Sequence, residues 1–213
     1  SQEQDQLAFL SFQLQSLWEL FYKVKAAVLG QDSQAQTMDI TTGLVGHWKF
    51  DEGSGIIASD SSGNGNTGTL NGPAWMQGKI SGALNFDGVD DYVSHADVSS
   101  LDVAGNFTAV AWVKFDTLPV AGSGAYPRIL QKGPTYGDSV FIINLQATSN
   151  ILSCGVRIGG THYDIISNQT LNPGVWYHIA CVRSGTTLDI YVNGSIDKTS
   201  NTLSSGAIDN GDN

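Results

Sequence analysis

The sequence predicts an antiparallel β-sandwich preceded by one amphipathic α-helix. After Leu44, short runs alternate apolar and polar residues with a period of two, and Gly-, Asn- or Asp-rich breaks separate most of them. Of the 213 residues, 25 are glycine and 41 % are apolar, which indicates many turns between well-buried strands. With 14 % charged residues, the composition excludes an intrinsically disordered chain. Many short strands without helical patterns between them favour two packed sheets.

The clearest strand pattern is FTAVAWVKF at residues 107–115. One face of this strand carries Phe107, Ala109, Ala111, Val113 and Phe115. Similar runs lie at 44–50, 82–86, 138–146, 150–158, 175–183 and 187–193. We expect one face of each strand to be buried, which would bring into the core several of the tryptophans Trp48, Trp75, Trp112 and Trp176.

The first thirty residues follow a helical period instead. Apolar residues recur at alternating intervals of three and four, at Leu7, Leu10, Leu14, Leu17, Phe21, Val24 and Val28. This spacing predicts an amphipathic helix over 1–30 that ends near Gly30, and the polar segment 31–43 reads as a linker to a domain over 44–213.

The function of this helix stays open between three interpretations. Residues 7–28 could join copies of the chain as a homo-oligomer, pack against the chain's own domain or belong to a larger helical region, or lie in a membrane interface. A membrane-spanning segment is not expected, because Glu19, Lys23 and Lys25 interrupt the apolar run too soon.

The charge balance narrows the classes of partner. Twenty acidic residues against ten basic ones give a formal net charge of −10, so nucleic-acid binding is not expected. Glutamate occurs only at Glu3, Glu19 and Glu52, and the other 17 acids are aspartate. Aspartate favours turns and the coordination of hard cations, which makes Ca²⁺ the cofactor to consider.

The two cysteines, Cys154 and Cys181, both lie inside apolar stretches. They could form one disulfide or remain two buried thiols, and their spacing does not decide between these states.

Several segments, in this order and at this spacing, resemble the laminin-G-like, concanavalin A-like lectin/glucanase jelly-roll domains. They are LVGHWKFDEGSG (44–55), DSSGNGNTGTLNG (60–72), GKISGALNFDGVDDYVS (78–94), FTAVAWVKF (107–115) and GVWYHIACVRSGTTLDIYVNG (174–194). The resemblance implies a jelly roll of two antiparallel sheets. It also implies an extracellular or cell-surface module that binds glycans or proteins, often with one calcium ion. Family domains usually continue with a further strand pair, so we expect that the last strands are missing here.

The resemblance also implies which residues would bind calcium. Asp87 and one of Asp90 and Asp91 are the best-supported ligands, and Asp51 and Asp60 are weaker candidates in loops that could come close. The alternative is that Asp87 and Asp60 cap tight turns through side-chain-to-backbone hydrogen bonds.

Candidate glycan-binding residues are aromatic or polar side chains in or beside turns. They are Tyr126, Tyr136, His162 and Tyr163, since loops on a rigid scaffold are where binding residues concentrate. The alternative is local packing of each ring. His47 and His178 lie within strand patterns, and we expect them to be packed or hydrogen-bonded.

The sequence does not predict an enzyme. It lacks the Glu-x-Asp-x-x-Glu strand motif of the glucanases that share this sandwich, and Glu52 is its only glutamate after the helix. We therefore predict a non-catalytic recognition module that binds carbohydrate or protein through its loops with calcium assistance. Two alternatives are a structural spacer of a surface assembly without a glycan ligand and an accessory domain of a glycoside hydrolase.

Overall fold

The computed structural model describes residues 43–103, 105–116, 126–133, 139–146, 149–200 and 202–209. The helix predicted over 1–30 and nearly all of the linker lie outside these ranges. The described residues form the strands β1 (Ile57–Ala58), β2 (Gly68–Asn71), β3 (Ala74–Gln77), β4 (Gly82–Asn85), β5 (Tyr92–Ser94), β6 (Phe107–Lys114), β7 (Arg128–Lys132), β8 (Phe141–Leu145), β9 (Ile151–Ile158), β10 (Thr161–Thr170), β11 (Trp176–Ser184), β12 (Thr187–Val192) and β13 (Ser195–Ser200). A short 3₁₀ turn spans Ser99–Leu101. In the part of the chain that is described, no helix has the length and apolar character needed to cross a membrane.

Two four-stranded antiparallel sheets make up the larger part of the sandwich. The β11 sheet has the order β13-β12-β11-β6, and the β9 sheet has the order β10-β9-β8-β7. A three-stranded sheet, β1-β2-β5, and the hairpin β3-β4 complete the fold. Every strand pair is antiparallel, as the sequence predicts.

The main core lies between the β11 and β9 sheets. It contains alternate residues of β6, β8, β9, β11 and β12, among them Ala111, Val113, Ile143, Leu145, Leu152, Val156, Ile179, Leu188 and Ile190. Phe107, Ala109 and Phe115 pack against it, so one face of 107–115 is buried as predicted, and it is the face that carries these residues. Burying each large apolar side chain stabilises the fold by about 1.5–3 kcal/mol.

A disulfide between Cys154 and Cys181 crosses this core. Cys154 lies in β9 and Cys181 in β11, with their Cα atoms 6.1 Å apart, so the bond joins the two sheets. Both residues are buried. The structure thus decides between the two states that the sequence left open.

A second cluster packs under the three-stranded sheet, around Trp48, Phe50, Leu70, Leu84 and Val93. Trp48 is buried and donates its indole N–H to the Asn66 carbonyl at 2.7 Å, while Trp75 packs against the cluster. Trp112 and Trp176 are half-buried instead. Trp112 alternates with the core residues of β6 and so faces away from the core.

Asp60 organises the loop that covers this second cluster. Its carboxylate accepts hydrogen bonds from the backbone N–H groups of His47 (2.9 Å), Ser62 (2.8 Å) and Asn66 (2.9 Å) and from the Ser62 hydroxyl (2.7 Å). Burial raises the pKa of Asp60, but these hydrogen bonds outweigh burial and hold the pKa below its ordinary value. Asp60 is therefore a loop-capping residue.

The segment after β13 returns to the β9 sheet. Ile208 forms a bridge with Ile158, and Asp209 accepts hydrogen bonds from the N–H groups of Gly159 and Gly160, both at 2.9 Å. Asp209 also forms an ion pair with Arg157 at 3.4 Å. These contacts fix the β9–β10 hairpin, which carries one of the candidate sites.

Candidate functional site

Three aspartates come together in the loop between β4 and β5. Asp87, Asp90 and Asp91 place carboxylate oxygens within 4.8 Å of one another, and we call this group the aspartate loop. Because β5 begins only at Tyr92, both Asp90 and Asp91 precede the strand and can face the same point. The alternation that would separate neighbouring side chains in a strand does not apply here.

Hydrogen bonds within the aspartate loop hold two of its carboxylates in place. Asp87 Oδ1 accepts from the N–H groups of Val89 (2.8 Å) and Asp90 (3.4 Å), and Asp91 Oδ2 accepts from the Asp87 N–H (2.8 Å). Asp91 lies over Gly72, where φ is +93° and any Cβ would collide with the carboxylate. Asp87 is thus both a turn cap and a member of the carboxylate group.

The structure does not bring Asp51 and Asp60 into this group. Asp51 accepts a hydrogen bond from the Gly82 N–H at 2.9 Å, and Asp60 caps its own loop. Among the described residues, the three members of the aspartate loop are the carboxylate cluster with metal-binding spacing. Their donor set, all oxygen, fits a hard cation such as Ca²⁺, with carbonyls and waters completing six to eight ligands.

The four candidate glycan-binding residues lie in different surroundings. Tyr126 is 42 % exposed just before β7, while Tyr136 lies outside the described residues. Tyr163 packs against the main core, as the alternative interpretation predicts. His162 points to the opposite side of β10, where it meets a group of polar side chains.

The imidazole of His162 and the carboxylate of Asp164 are within hydrogen-bonding distance of each other. His162 Nδ1 lies 3.0 Å from Asp164 Oδ2, and the two side chains are 14 % and 32 % exposed. Both lie over Gly155 of β9, where any Cβ would collide with them. Arg157 is paired with His162 across the two strands and lies on the same face. A cation, an imidazole and a carboxylate therefore stand side by side at the surface.

Further polar residues continue this face of the β9 sheet towards β7. Gln131, Asn144 and Ser153 are fully buried, and within the described structure Gln131 Oε1, Asn144 Oδ1 and Ser153 Oγ lack hydrogen-bond partners. Buried polar atoms without a partner are uncommon and invite an explanation. We call this side of the sheet the β9 polar face; it comprises Gln131, Asn144, Ser153, Gly155, Arg157, His162 and Asp164. Of these, Arg157, His162 and Asp164 reach the surface, whereas Gln131, Asn144 and Ser153 lie beneath it.

Sequence reasoning found only His162 of this face. A signal was present for two of the others, because Asn144 and Ser153 are single polar residues in the otherwise apolar runs FIINL and ILSC. Gln131 gives a weaker signal, since its strand RILQK also contains Arg128 and Lys132. Grouping them requires the strand register, in which Asn144 pairs with Ser153, Gln131 with Ile142, and Ile142 with Gly155.

Glu52 has a structural contact. Its carboxylate accepts a hydrogen bond from the Ser59 N–H at 2.7 Å and so closes a turn.

Comparison with solved structures finds the same overall fold in a domain of a bacterial arabinanase. One match is domain 4 of AbnA, a GH43 extracellular arabinanase from Geobacillus stearothermophilus, which was solved in complex with arabinotriose. It is 21 % identical to this chain with a TM-score of 0.56, and the match covers 77 % of this chain and 80 % of that one. An S-layer domain-containing protein from Clostridium thermocellum is 27 % identical over 75 % of this chain and 73 % of that one, with a TM-score of 0.47. The carbohydrate binding module CBM66 from Bacillus subtilis is 13 % identical over 66 % and 81 %, with a TM-score of 0.41. No curated protein sequence matches the chain significantly.

The antiparallel sheets and their shared core define a jelly-roll β-sandwich. The model of the concanavalin A-like lectin/glucanases superfamily, Laminin_G_3, matches residues 87–213, more than half of the chain. The chain belongs to this family, which confirms the relationship predicted from its sequence segments.

Proposed function

We propose that this chain is a non-catalytic, extracellular carbohydrate-binding module whose β9 polar face contacts the glycan. The observation that carries the proposal is the row formed by Arg157, His162 and Asp164, set over a strand glycine that leaves no side chain beneath it. Sugar hydroxyls both donate and accept hydrogen bonds, so adjacent cationic, imidazole and carboxylate groups suit them. Family membership and the arabinotriose complex of the AbnA domain support this ligand class.

The disulfide supports the proposed location. Disulfides persist in oxidising environments and are rare in the cytosol, so a bond buried between the two sheets suits a secreted or surface-exposed protein.

Replacing the paired side chains should remove glycan binding. We expect His162→Ala and Asp164→Ala each to weaken binding to the best ligand on a polysaccharide array by roughly 10- to 100-fold, because each removes charge-assisted hydrogen bonds. Affinity gel electrophoresis followed by calorimetry measures the change.

Asp116→Asn is the matched control for this experiment. Asp116 is also a surface carboxylate beside a cation, at 3.3 Å from Lys114, but it lies outside the β9 polar face. Equal binding by all three variants would refute the assignment of this face. Absence of binding to every polysaccharide would instead favour the structural spacer.

Calcium is proposed to order the aspartate loop. Asp87, Asp90 and Asp91 would hold the ion, which neutralises three crowded carboxylates and so stabilises the folded loop. Extracellular calcium modules bind at about 0.1–1 mM, so 10 mM calcium should stabilise the fold by about 1.4–2.7 kcal/mol relative to EDTA. This corresponds to a rise of roughly 3–10 °C in Tm.

Asp90→Asn is the sharpest variant for the calcium test. Asp87 and Asp91 also hold the loop through hydrogen bonds, whereas the Asp90 side chain makes none in the described structure. The variant should therefore keep the EDTA melting temperature of the wild type and lose the calcium-dependent rise. A wild-type melt that calcium does not shift would refute the calcium proposal.

A further inference from the structure

A cleft of about 340 Å³ lies at one end of the β11 sheet, away from the residues discussed so far. Three separate segments build it: the approach to β6, the turn between β11 and β12, and the chain after β13. The residues that matter are Gly105, Asn106, Arg183, Thr186, Ser205 and Gly206.

Arg183 is the unusual member of this cleft. It is only 4 % exposed, and its guanidinium donates Nη1–H to the Gly105 carbonyl at 3.3 Å and Nη2–H to the Gly206 carbonyl at 2.5 Å. An arginine has five N–H donors, so three of them make no hydrogen bond to the described residues, including the buried Nε–H.

The positive charge of Arg183 also lacks a counter-charge. No carboxylate of the described residues forms an ion pair with it, and burial alone lowers the pKa of Arg183. A buried cation without a partner is strongly unfavourable. The Gly105 and Gly206 carbonyls require a hydrogen-bond donor at this position, but a neutral side chain could donate to them equally well. They therefore do not explain why the donor carries a positive charge.

The remaining wall of the cleft is small and uncharged. Asn106, Thr186 and Ser205 supply amide and hydroxyl groups, while Gly105 and Gly206 leave space beside the guanidinium. The protein's net charge of −10 opposes anions at a distance, but salt screens this field beyond about 8–10 Å. The guanidinium therefore determines which charge the cleft accepts.

We propose that the Arg183 cleft binds an oxyanion, a carboxylate or a sulfate group, through the unused N–H groups of the guanidinium. Arginine suits such groups because its planar donors match pairs of oxygens. The oxyanion could be a free ion or the acidic group of a uronate or sulfated saccharide. This site is independent of the β9 polar face.

Thermal melts with small anions test the proposal directly. We expect 10 mM sulfate to raise Tm by roughly 3–6 °C over sodium chloride at matched ionic strength, for a Kd of about 1 mM. Glucuronate at 10 mM, compared with glucose, tests the saccharide source, because the two sugars differ by one carboxylate. A rise with both anions supports an acidic-saccharide site, and a rise with sulfate alone supports a site for the free ion.

Two variants and a control connect the effect to the cleft. Arg183→Gln should abolish the rise, and Ser205→Asp should abolish it too by placing a carboxylate in the cleft. If Arg183→Gln does not fold, Ser205→Asp still tests whether the anion binds in the cleft. Lys114→Gln, which removes a cation paired with Asp116 at the far end of β6, should keep the full rise. No rise with either anion, or a rise that survives in Ser205→Asp, overturns the proposal.

Discussion

Replacing both cysteines by alanine is expected to lower Tm by roughly 6–16 °C. The disulfide joins residues 27 apart in sequence, and closing a loop of this size stabilises a fold by about 3–4 kcal/mol in the chain-entropy model. Each kcal/mol shifts the Tm of a protein of 150–250 residues by about 2–4 °C. Thermal melts followed by near-UV circular dichroism measure the shift.

Two controls separate the crosslink from the packing of the sulfurs. The single variant Cys154→Ala leaves one thiol and should melt close to the double variant, since it has already lost the crosslink. Dithiothreitol under native conditions should leave the wild type unchanged, because Cys154 and Cys181 are both buried. Two free thiols in the untreated wild type, found by mass spectrometry, would contradict the disulfide.

Acidification from pH 7.5 to pH 5 is expected to lower the stability of the wild type by about 2 kcal/mol through His178 alone. His178 is 5 % exposed on β11, its ring meets Trp112 edge-on with the ring centroids 5.3 Å apart, and both ring nitrogens lack hydrogen-bond partners in the described structure. Burial lowers the pKa of His178 from 6.5 to about 4.

The sign of this effect follows from the direction of the pKa shift. Between pH 6.5 and pH 4 the unfolded chain binds a proton at His178 that the folded chain does not bind, so protonation favours unfolding as the pH falls. Urea unfolding at several pH values measures the loss. His178→Leu should reduce it by about 2 kcal/mol, whereas Trp112→Phe, which keeps the histidine, should retain it. If the imidazole of His178 titrates near pH 6.5 in NMR spectra of the folded protein, this prediction is contradicted.

The fold was largely predictable from the sequence because strand alternation is a local property. Residues 107–115 show it most clearly: the alternation predicted one buried face, and the face that contains Ala111 and Val113 lies in the main core. The aspartate loop was also accessible, since Asp87, Asp90 and Asp91 are close in sequence and one turn suffices to gather them.

The rest depends on contacts between residues distant in sequence. Whether Cys154 and Cys181 meet depends on how the β9 and β11 sheets face each other. The Arg183 cleft gathers segments that are more than 70 residues apart, as the bond from Arg183 to Gly105 shows with its separation of 78 positions. The local sequence pattern around a residue does not show which distant residue it will contact.

The opposite orientations of His162 and Tyr163 could have been predicted. Tyr163 and Ile165 are two positions apart in a strand, and Ile165 is an apolar core residue, so period-two alternation places Tyr163 on the core side and His162 on the other. Both were predicted to lie in or beside turns, and β10 begins at Thr161, directly after the turn at 159–160.

The disulfide between the two sheets also limits how far the chain can be stretched. When the domain is pulled from its two ends, the 27-residue span between Cys154 and Cys181 cannot extend, which removes about 90 Å from the contour length released on unfolding. Under tension the chain can therefore extend only through the residues before Cys154 and after Cys181. Even when every other contact has been lost, the disulfide holds the residues between Cys154 and Cys181, which include all of β10, in one closed loop.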